Sequence, residues 1–243
     1  MPVQSLAGQI EVASDPHSLA QRVAEWFTKA VSALPGQVRI ALSGGSTPRE
    51  LYHLLATPPF RGEIPWTRLE LFWGDERFVP RDDAASNARM VRETLLSQVP
   101  IAETRIHPMP VDGTPADAAR RYEDLLKRIY GADRLDPARP LFDIMFLGLG
   151  SDGHTASLLP GQPVLEERER WVAAVTKGRS EARITLTYPA IEASATIAFL
   201  VTGADKTEAV SAVRAGDTNL PAGRIRAQGQ IIWFLDRAAA GPA

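Results

Sequence analysis

The sequence predicts an α/β protein, a mainly parallel sheet with helices packed on both faces. Three observations carry this. Short apolar runs alternate with longer segments that are apolar at helical spacing, along the whole chain. Residues 141–150, LFDIMFLGLG, are apolar almost without a break, the pattern of a strand covered on both faces. The Gly-rich and polar stretches follow strand runs, where open α/β sheets hold their ligands.

Taken in order, residues 17–34 carry Leu19, Val23, Trp26, Phe27, Ala30, Val31 and Leu34 at helical spacing, with Asp15-Pro16 as a start signal. Residues 37–43, QVRIALS, read as a buried strand. GGSTP and a helix over 48–56 follow, with Pro48 early in the helix, where its fixed φ is tolerated. The Pro-rich stretch 57–66 is a surface connection. Residues 68–74 form a strand running into DERFVP. Helices are expected over 86–99 and 115–131, and strands over 141–150, 182–191, 195–203 and 230–236. Residues 205–216 read as a helix closed by Gly216. With no internal repeat, low-complexity segment or Gly/Ser linker, residues 1–243 are expected to form one domain.

Composition narrows the function. Hydrophobic residues make up 44% and charged residues 23%, ordinary for a globular protein. The balance of 27 Lys+Arg against 29 Asp+Glu provides no global field to draw nucleic acid or membrane. Affinity for an anion must come from a local cluster. The absence of cysteine removes disulfides, thiolate metal sites and Cys nucleophiles, and suits a reducing compartment. The first residues, MPVQSLAGQIEVASD, lack the basic start and apolar core of a secretory signal. No apolar stretch approaches the ~18 residues of a membrane span. A cytoplasmic location is expected.

Four stretches carry the polar chemistry. SGGSTP, residues 43–48, puts two glycines, Ser43 and Thr47 at a helix start, where backbone N–H groups and the helix dipole favour an anion. The spacing is neither GxxxxGK[ST] nor GxGxxG, and a simple tight strand-to-helix turn reads the same way. WGDERF, residues 73–78, offers Arg77 as a bidentate phosphate clamp and Asp75 to orient it or to bind a sugar hydroxyl; a solvated charged loop is the plainer reading. Residues 148–157 frame His154 with Gly148, Gly150 and Gly153, so that the backbone can turn sharply or approach a ligand, and Asp152 is placed to orient the ring. Arg183 lies at the start of the strand candidate 182–191, and Lys206 follows the strand candidate 195–203. Lys206 opposes the dipole of the helix it begins, which a bound anion explains and an exposed lysine also allows. No HxxxH or HxH pattern supports a metal, and no GxSxG elbow supports a serine hydrolase.

Together these stretches resemble a known family. ALSGGSTPRELY, FWGDERFVP with SNARMVRETLL after it, FDIMFLGLGSDGHTASLLPG and RITLTYPAI are similar to 6-phosphogluconolactonases, in the family's order and over about residues 10–236. The resemblance implies a modified doubly wound, Rossmann-like sheet of the glucosamine-6-phosphate deaminase/isomerase superfamily. It also implies hydrolysis of 6-phospho-D-glucono-1,5-lactone to 6-phosphogluconate, in the oxidative pentose phosphate pathway, without metal or organic cofactor. On that basis His154 takes a proton from water and returns one to the leaving ring oxygen. Backbone amides of 44–45 or of 150–153 are the candidate donors to the tetrahedral oxyanion. Arg77 and Lys206 hold the phosphate, with Arg183 as a third cation. Ser43, Gly44, Gly45 and Thr47 line the sugar-phosphate pocket, and Asp75 touches substrate or holds Arg77. The partner is a small sugar-phosphate lactone, with neither nucleic acid nor membrane, and the sequence leaves the oligomeric state open.

Two segments depart from the family pattern. A KPP-like stretch is replaced by KGRSEARIT, residues 177–185, and PAS-R by PAGR, residues 221–224, with Gly223 for the serine. Two other functions compete. The aminosugar-phosphate deaminase/isomerases continue the histidine motif into an Asn-Glu pair, where this chain has Leu158-Leu159, and carry an aromatic residue at the Arg77 position. A non-enzymatic sugar-phosphate sensor of the kind found in transcription regulators needs an attached helix-turn-helix. Only about 35 residues precede the first expected parallel strand, with no basic arm.

Overall fold

A computed structural model describes Leu6 and residues 8–241 of the chain. The opening residues, where the sequence argues against a secretory signal, lie partly outside these. The chain begins with β1 (Gln9–Ala13), α1 (Pro16–Ala33), β2 (Val38–Leu42), α2 (Ser46–Leu55) and a short α3 (Phe60–Glu63). Then follow β3 (Leu69–Trp73), β4 (Asp75–Arg77), α4 (Asn87–Val91), a two-residue β5 (Ile106–His107) and α5 (Pro115–Tyr130). The second half runs β6 (Phe142–Leu147), β7 (Val172–Val175), β8 (Arg183–Leu186), α6 (Tyr188–Glu192), β9 (Ser194–Val201), α7 (Thr207–Arg214), β10 (Gln230–Asp236) and α8 (Arg237–Ala240).

The main sheet has seven strands in the order β1-β10-β9-β6-β2-β3-β5. Each of its neighbouring pairs is parallel. This is an α/β, Rossmann-like, modified doubly wound fold, as the alternation of strand and helix patterns predicts. From β2 the chain moves outward through β3 to β5, then returns to β2's other side for β6 and continues outward through β9 to β10, which pairs at the far edge with the chain's first strand, β1. The order therefore reverses between β2 and β6. A crevice opens at such a switch point outside the carboxyl ends of the strands. The stretches 43–48 and 148–157 leave β2 and β6 at that point.

Helix boundaries follow the local chemistry. Asp15 caps α1 by accepting from the Ser18 N–H at 2.9 Å, and Pro16 sits in the first turn. Thr114 caps α5, which closes on Gly131 at φ +79°. α1 buries Leu19, Val23, Phe27 and Val31, the spacing read from the sequence. β3 is buried along its length and β6 almost so.

The helix expected over 86–99 is α-helical only over Asn87–Val91 and widens to a π turn over Arg92–Leu96. The Thr94 hydroxyl donates to the Met90 carbonyl at 2.7 Å and competes with the helical ladder. The strand expected over 182–191 ends at Leu186, and α6 follows. Pro189 lacks the N–H a ladder needs but fits a first helical turn. The edge strand β1 precedes 37–43, the first strand the sequence suggests. β4, read as a charged loop, pairs antiparallel with β8, and β8 with β7, forming a separate three-stranded sheet. Short or polar strands carry too little alternation to stand out.

Candidate active site

The loops at the switch point surround a cavity of about 270 Å³. It is lined by Ser43, Gly44, Gly45 and Thr47 after β2, and by Asp75 and Arg77 on β4. Gly150 and His154 after β6, Arg183 on β8 and Lys206 beyond β9 complete the expected residues around it. Asp152 and Gly153 stand outside its lining. Asp152 contacts the imidazole at Nδ1, and a Cβ on Gly153 would stand 2.7 Å from that of Leu220.

The loop after β2 is pinned from below. The Ser43 N–H donates to the Tyr52 hydroxyl at 3.0 Å, and that hydroxyl donates back to the Ser43 carbonyl at 2.9 Å. Burial pushes the Tyr52 phenol well up and keeps it neutral. Gly45 takes φ +106° at the start of α2, a conformation that favours glycine. Gly44 is packed so tightly that a Cβ there would stand 1.9 Å from Asn87 Oδ1. Thr47 Oγ1 is 2.8 Å from Thr202 Oγ1, which ties this loop to the end of β9.

β4 distributes its side chains by the two-residue alternation of a strand. Asp75 and Arg77 line the cavity, while Glu76 faces away and is buried. The Glu76 carboxylate accepts from the N–H groups of Asn87 and Ala88, each at 2.7 Å, and of Arg77 at 2.8 Å. Burial raises the Glu76 pKa against these donors. Glu76 thereby binds the start of α4 to β4 and presents Asn87 to the cavity. Asn87 Nδ2 donates to the Asp75 carbonyl at 3.0 Å, and Ser157 Oγ donates to Asp75 Oδ2 at 2.6 Å. Among the described residues, Asp75 Oδ1 has a single long contact, 3.4 Å to Asn87 Nδ2.

The cations differ in how they are held. Arg77 Nη1 donates to the Ala85 carbonyl at 2.6 Å, and Arg183 Nη2 lies 3.8 Å from Glu181. The Nε atoms of both are buried without a hydrogen-bond partner among the described residues. Lys206 Nζ is 2.8 Å from Asp205 Oδ2, which offsets part of the dipole's opposition to the lysine.

The loop after β6 folds tightly around His154. The Gly150 N–H donates to the His154 carbonyl at 2.8 Å, and a Cβ on Gly150 would stand 2.1 Å from the ring's Nδ1. Only glycine fits there. His154 Nδ1 is 2.5 Å from Asp152 Oδ1, which also accepts from the His154 N–H at 3.1 Å. Partial burial pushes the Asp152 carboxyl up, but bonds from Arg179 and His154 outweigh it and hold the group well below the usual carboxylate range. Among the described residues no group of three His, Cys, Asp or Glu side chains is placed to hold a metal ion.

Sequence reasoning missed Asn87, Ser157, Glu76 and Arg179. Asn87 and Ser157 lie inside the stretches SNARMV and GHTAS, but their contacts come from elements far apart in the chain. Arg179 lies in the segment 177–185 that breaks the family pattern.

A family model described as glucosamine-6-phosphate isomerases/6-phosphogluconolactonase matches residues 14–233. A 6-phosphogluconolactonase of Synechocystis is 40% identical over 96% of this chain and 98% of its own length. One from Streptomyces coelicolor is 36% identical over 96% of this chain and 93% of its own. Among solved structures, the 6-phosphogluconolactonase from Trypanosoma cruzi superposes with a TM-score of 0.85 at 30% identity, covering 99% of this chain and 98% of that one. A monomeric glucosamine-6-phosphate deaminase shares the fold, with a TM-score of 0.81 at 21% identity over 96% and 98% of the two chains.

Proposed function

The chain belongs to the glucosamine-6-phosphate isomerase/6-phosphogluconolactonase family, and we propose from that premise that it is the lactonase member's chemistry that its cavity performs. It hydrolyses 6-phospho-D-glucono-1,5-lactone to 6-phospho-D-gluconate, a step of the oxidative pentose phosphate pathway. The observation that carries the site assignment is the pairing of His154 with Asp152 at the mouth of a cavity that also holds Arg77 and Arg183.

A δ-lactone is an activated ester, so one acid–base group suffices. With Nδ1 engaged by Asp152, Nε2 is the ring nitrogen that accepts the proton of an attacking water. The new C–O bond at C1 makes a tetrahedral oxyanion, stabilised by backbone N–H groups of the 44–45 or 150–153 turns. Collapse breaks the bond from C1 to the ring oxygen, and the imidazolium returns its proton to that oxygen. The carboxylic acid so formed ionises. Arg77 and Arg183 hold the phosphate bidentately, with Lys206 as a further cation. Asp75 Oδ1 accepts from a sugar hydroxyl, while Ser43, Gly44, Gly45 and Thr47 shape the pocket wall.

Leu158 and Leu159, where a deaminase carries its Asn-Glu pair, are core residues, 0% and 2% exposed. They supply no acid for ring opening. The chain works as a single domain on a small-molecule lactone in the cytoplasm, with no nucleic-acid or membrane partner. Among the described residues no helix is long and apolar enough to cross a membrane. The deciding assay compares hydrolysis of the phosphorylated and unphosphorylated lactones above their spontaneous rates, with and without chelator, beside ammonia release from glucosamine 6-phosphate. Faster hydrolysis of the phosphorylated lactone, unaffected by chelator and without ammonia, is expected; ammonia release with no lactone hydrolysis overturns the reading.

A further inference from the structure

The loop between β7 and β8 carries a charge that the reaction above does not use. Arg179 Nη2 donates to Asp152 Oδ2 at 2.8 Å and stands 3.4 Å from His154 Nδ1. The other oxygen of Asp152 is the one bonded to the same ring nitrogen. One carboxylate is thus divided between an imidazole and a guanidinium.

The physical consequence has a definite sign. A carboxylate that an imidazole has to itself favours the imidazolium, and an imidazolium cannot take a proton from water. A guanidinium on the same carboxylate spends part of that attraction, and its own charge beside the ring opposes a second cation. The bond from Nδ1 to Oδ1 survives and still fixes the ring's orientation.

We propose that Arg179 is a positioning residue for the base: acting through Asp152, it keeps His154 neutral and ready to accept a proton. Other charges reach the ring from the cavity side. Asp75 and Arg77 stand on β4, Arg183 on β8, and Lys206, paired with Asp205, beyond β9. Glu181, on the same loop as Arg179, faces Arg183. At Nδ1 itself, among the described residues, the charged partners are Asp152 and Arg179. Arg179 comes from the segment 177–185 that departs from the family pattern.

The kinetic half of this inference rests on the lactonase reading, whereas the ring titration does not. The four histidines are few enough for NMR to follow each imidazole, with His154 assigned by a His154→Gln variant. In Arg179→Gln the midpoint of the His154 titration is expected to rise by about 0.5–1 pH unit, the acid limb of kcat/KM moving with it. Arg179→Lys should restore most of the shift, and high salt should shrink it. In an Asp152→Asn background the same Arg179→Gln change should move the midpoint less. Arg179 is more than a third exposed, so these variants should fold, as circular dichroism will verify. An unmoved midpoint in Arg179→Gln overturns the proposal, as does an equal shift with Asp152→Asn. Shifted midpoints without any lactone hydrolysis would support the electrostatic pairing and sink the lactonase reading instead.

Discussion

Arg77 and Arg183 are directly opposed across the antiparallel pair β4–β8, two cations on one face of a small sheet at the cavity wall. Like charges in this relation oppose each other. Burial, and after it the charge of Arg77, lower the Arg183 pKa. The buried Nε atoms lack partners among the described residues. An oxyanion between the two side chains relieves all three penalties at once. Either Arg77→Ala or Arg183→Ala should therefore raise KM for the phosphorylated lactone by about 10–100-fold, with a smaller effect on the unphosphorylated one. Thermal scans give an independent check. Inorganic phosphate should raise the Tm of the wild type and lose that effect in either variant.

His154 marks the chemical step rather than binding. His154→Gln should lower kcat by at least about 10²-fold while KM changes little. The ring is partly exposed beside a glycine turn, so the fold should persist. Steady-state kinetics corrected for spontaneous hydrolysis measure this. Turnover at the wild-type rate would remove His154 from the mechanism.

The parallel sheet and its ligand edge were legible because long apolar runs such as residues 142–147 carry their burial in the sequence itself. His154, Asp75 and Arg77 were legible as cavity residues because each sits in a polar stretch after such a run, whereas Arg183 opens a strand candidate of its own. What the sequence hid depends on pairing between distant segments. β4 and β8 are three and four residues long, too short for a period to show, and their union is what sets Arg77 against Arg183. Asn87, Ser157 and Arg179 are ordinary polar residues until the fold brings them to Asp75 and Asp152. Lys206 lines the cavity as well, and its pairing with Asp205 beside it could be read from the sequence neighbour alone.

Gly44 is a steric keystone, since its missing side chain leaves room for Asn87. In Gly44→Ala the new Cβ would stand 1.9 Å from Asn87 Oδ1, so the amide must move and its bond to Asp75 must break. A displacement of about 1 Å in a site of this kind costs about 10²-fold in kcat/KM. Shrinking the neighbour in Gly44→Ala/Asn87→Ala relieves the clash and should restore stability without restoring activity. Recovery of full activity in the double variant would show that the Asn87 amide has no part in holding Asp75.

Asp152 links the site to acid stability. Its carboxyl is held below its ordinary value of 3.8, the upward push of burial being outweighed by the bonds from Arg179 and His154. A depressed carboxylate contributes stability that is fully present above the unfolded value and is lost as pH falls through the folded one. Asp152→Asn keeps the shape and removes that charge. The stability gap between wild type and Asp152→Asn should hence narrow progressively as pH falls below 3.8. Urea unfolding at a series of pH values measures it. A gap that widens as pH falls below 3.8 would mean that the Asp152 carboxylate is strained by its neighbours rather than stabilised, and it would reverse the electrostatic order assigned to the Arg179–Asp152–His154 chain.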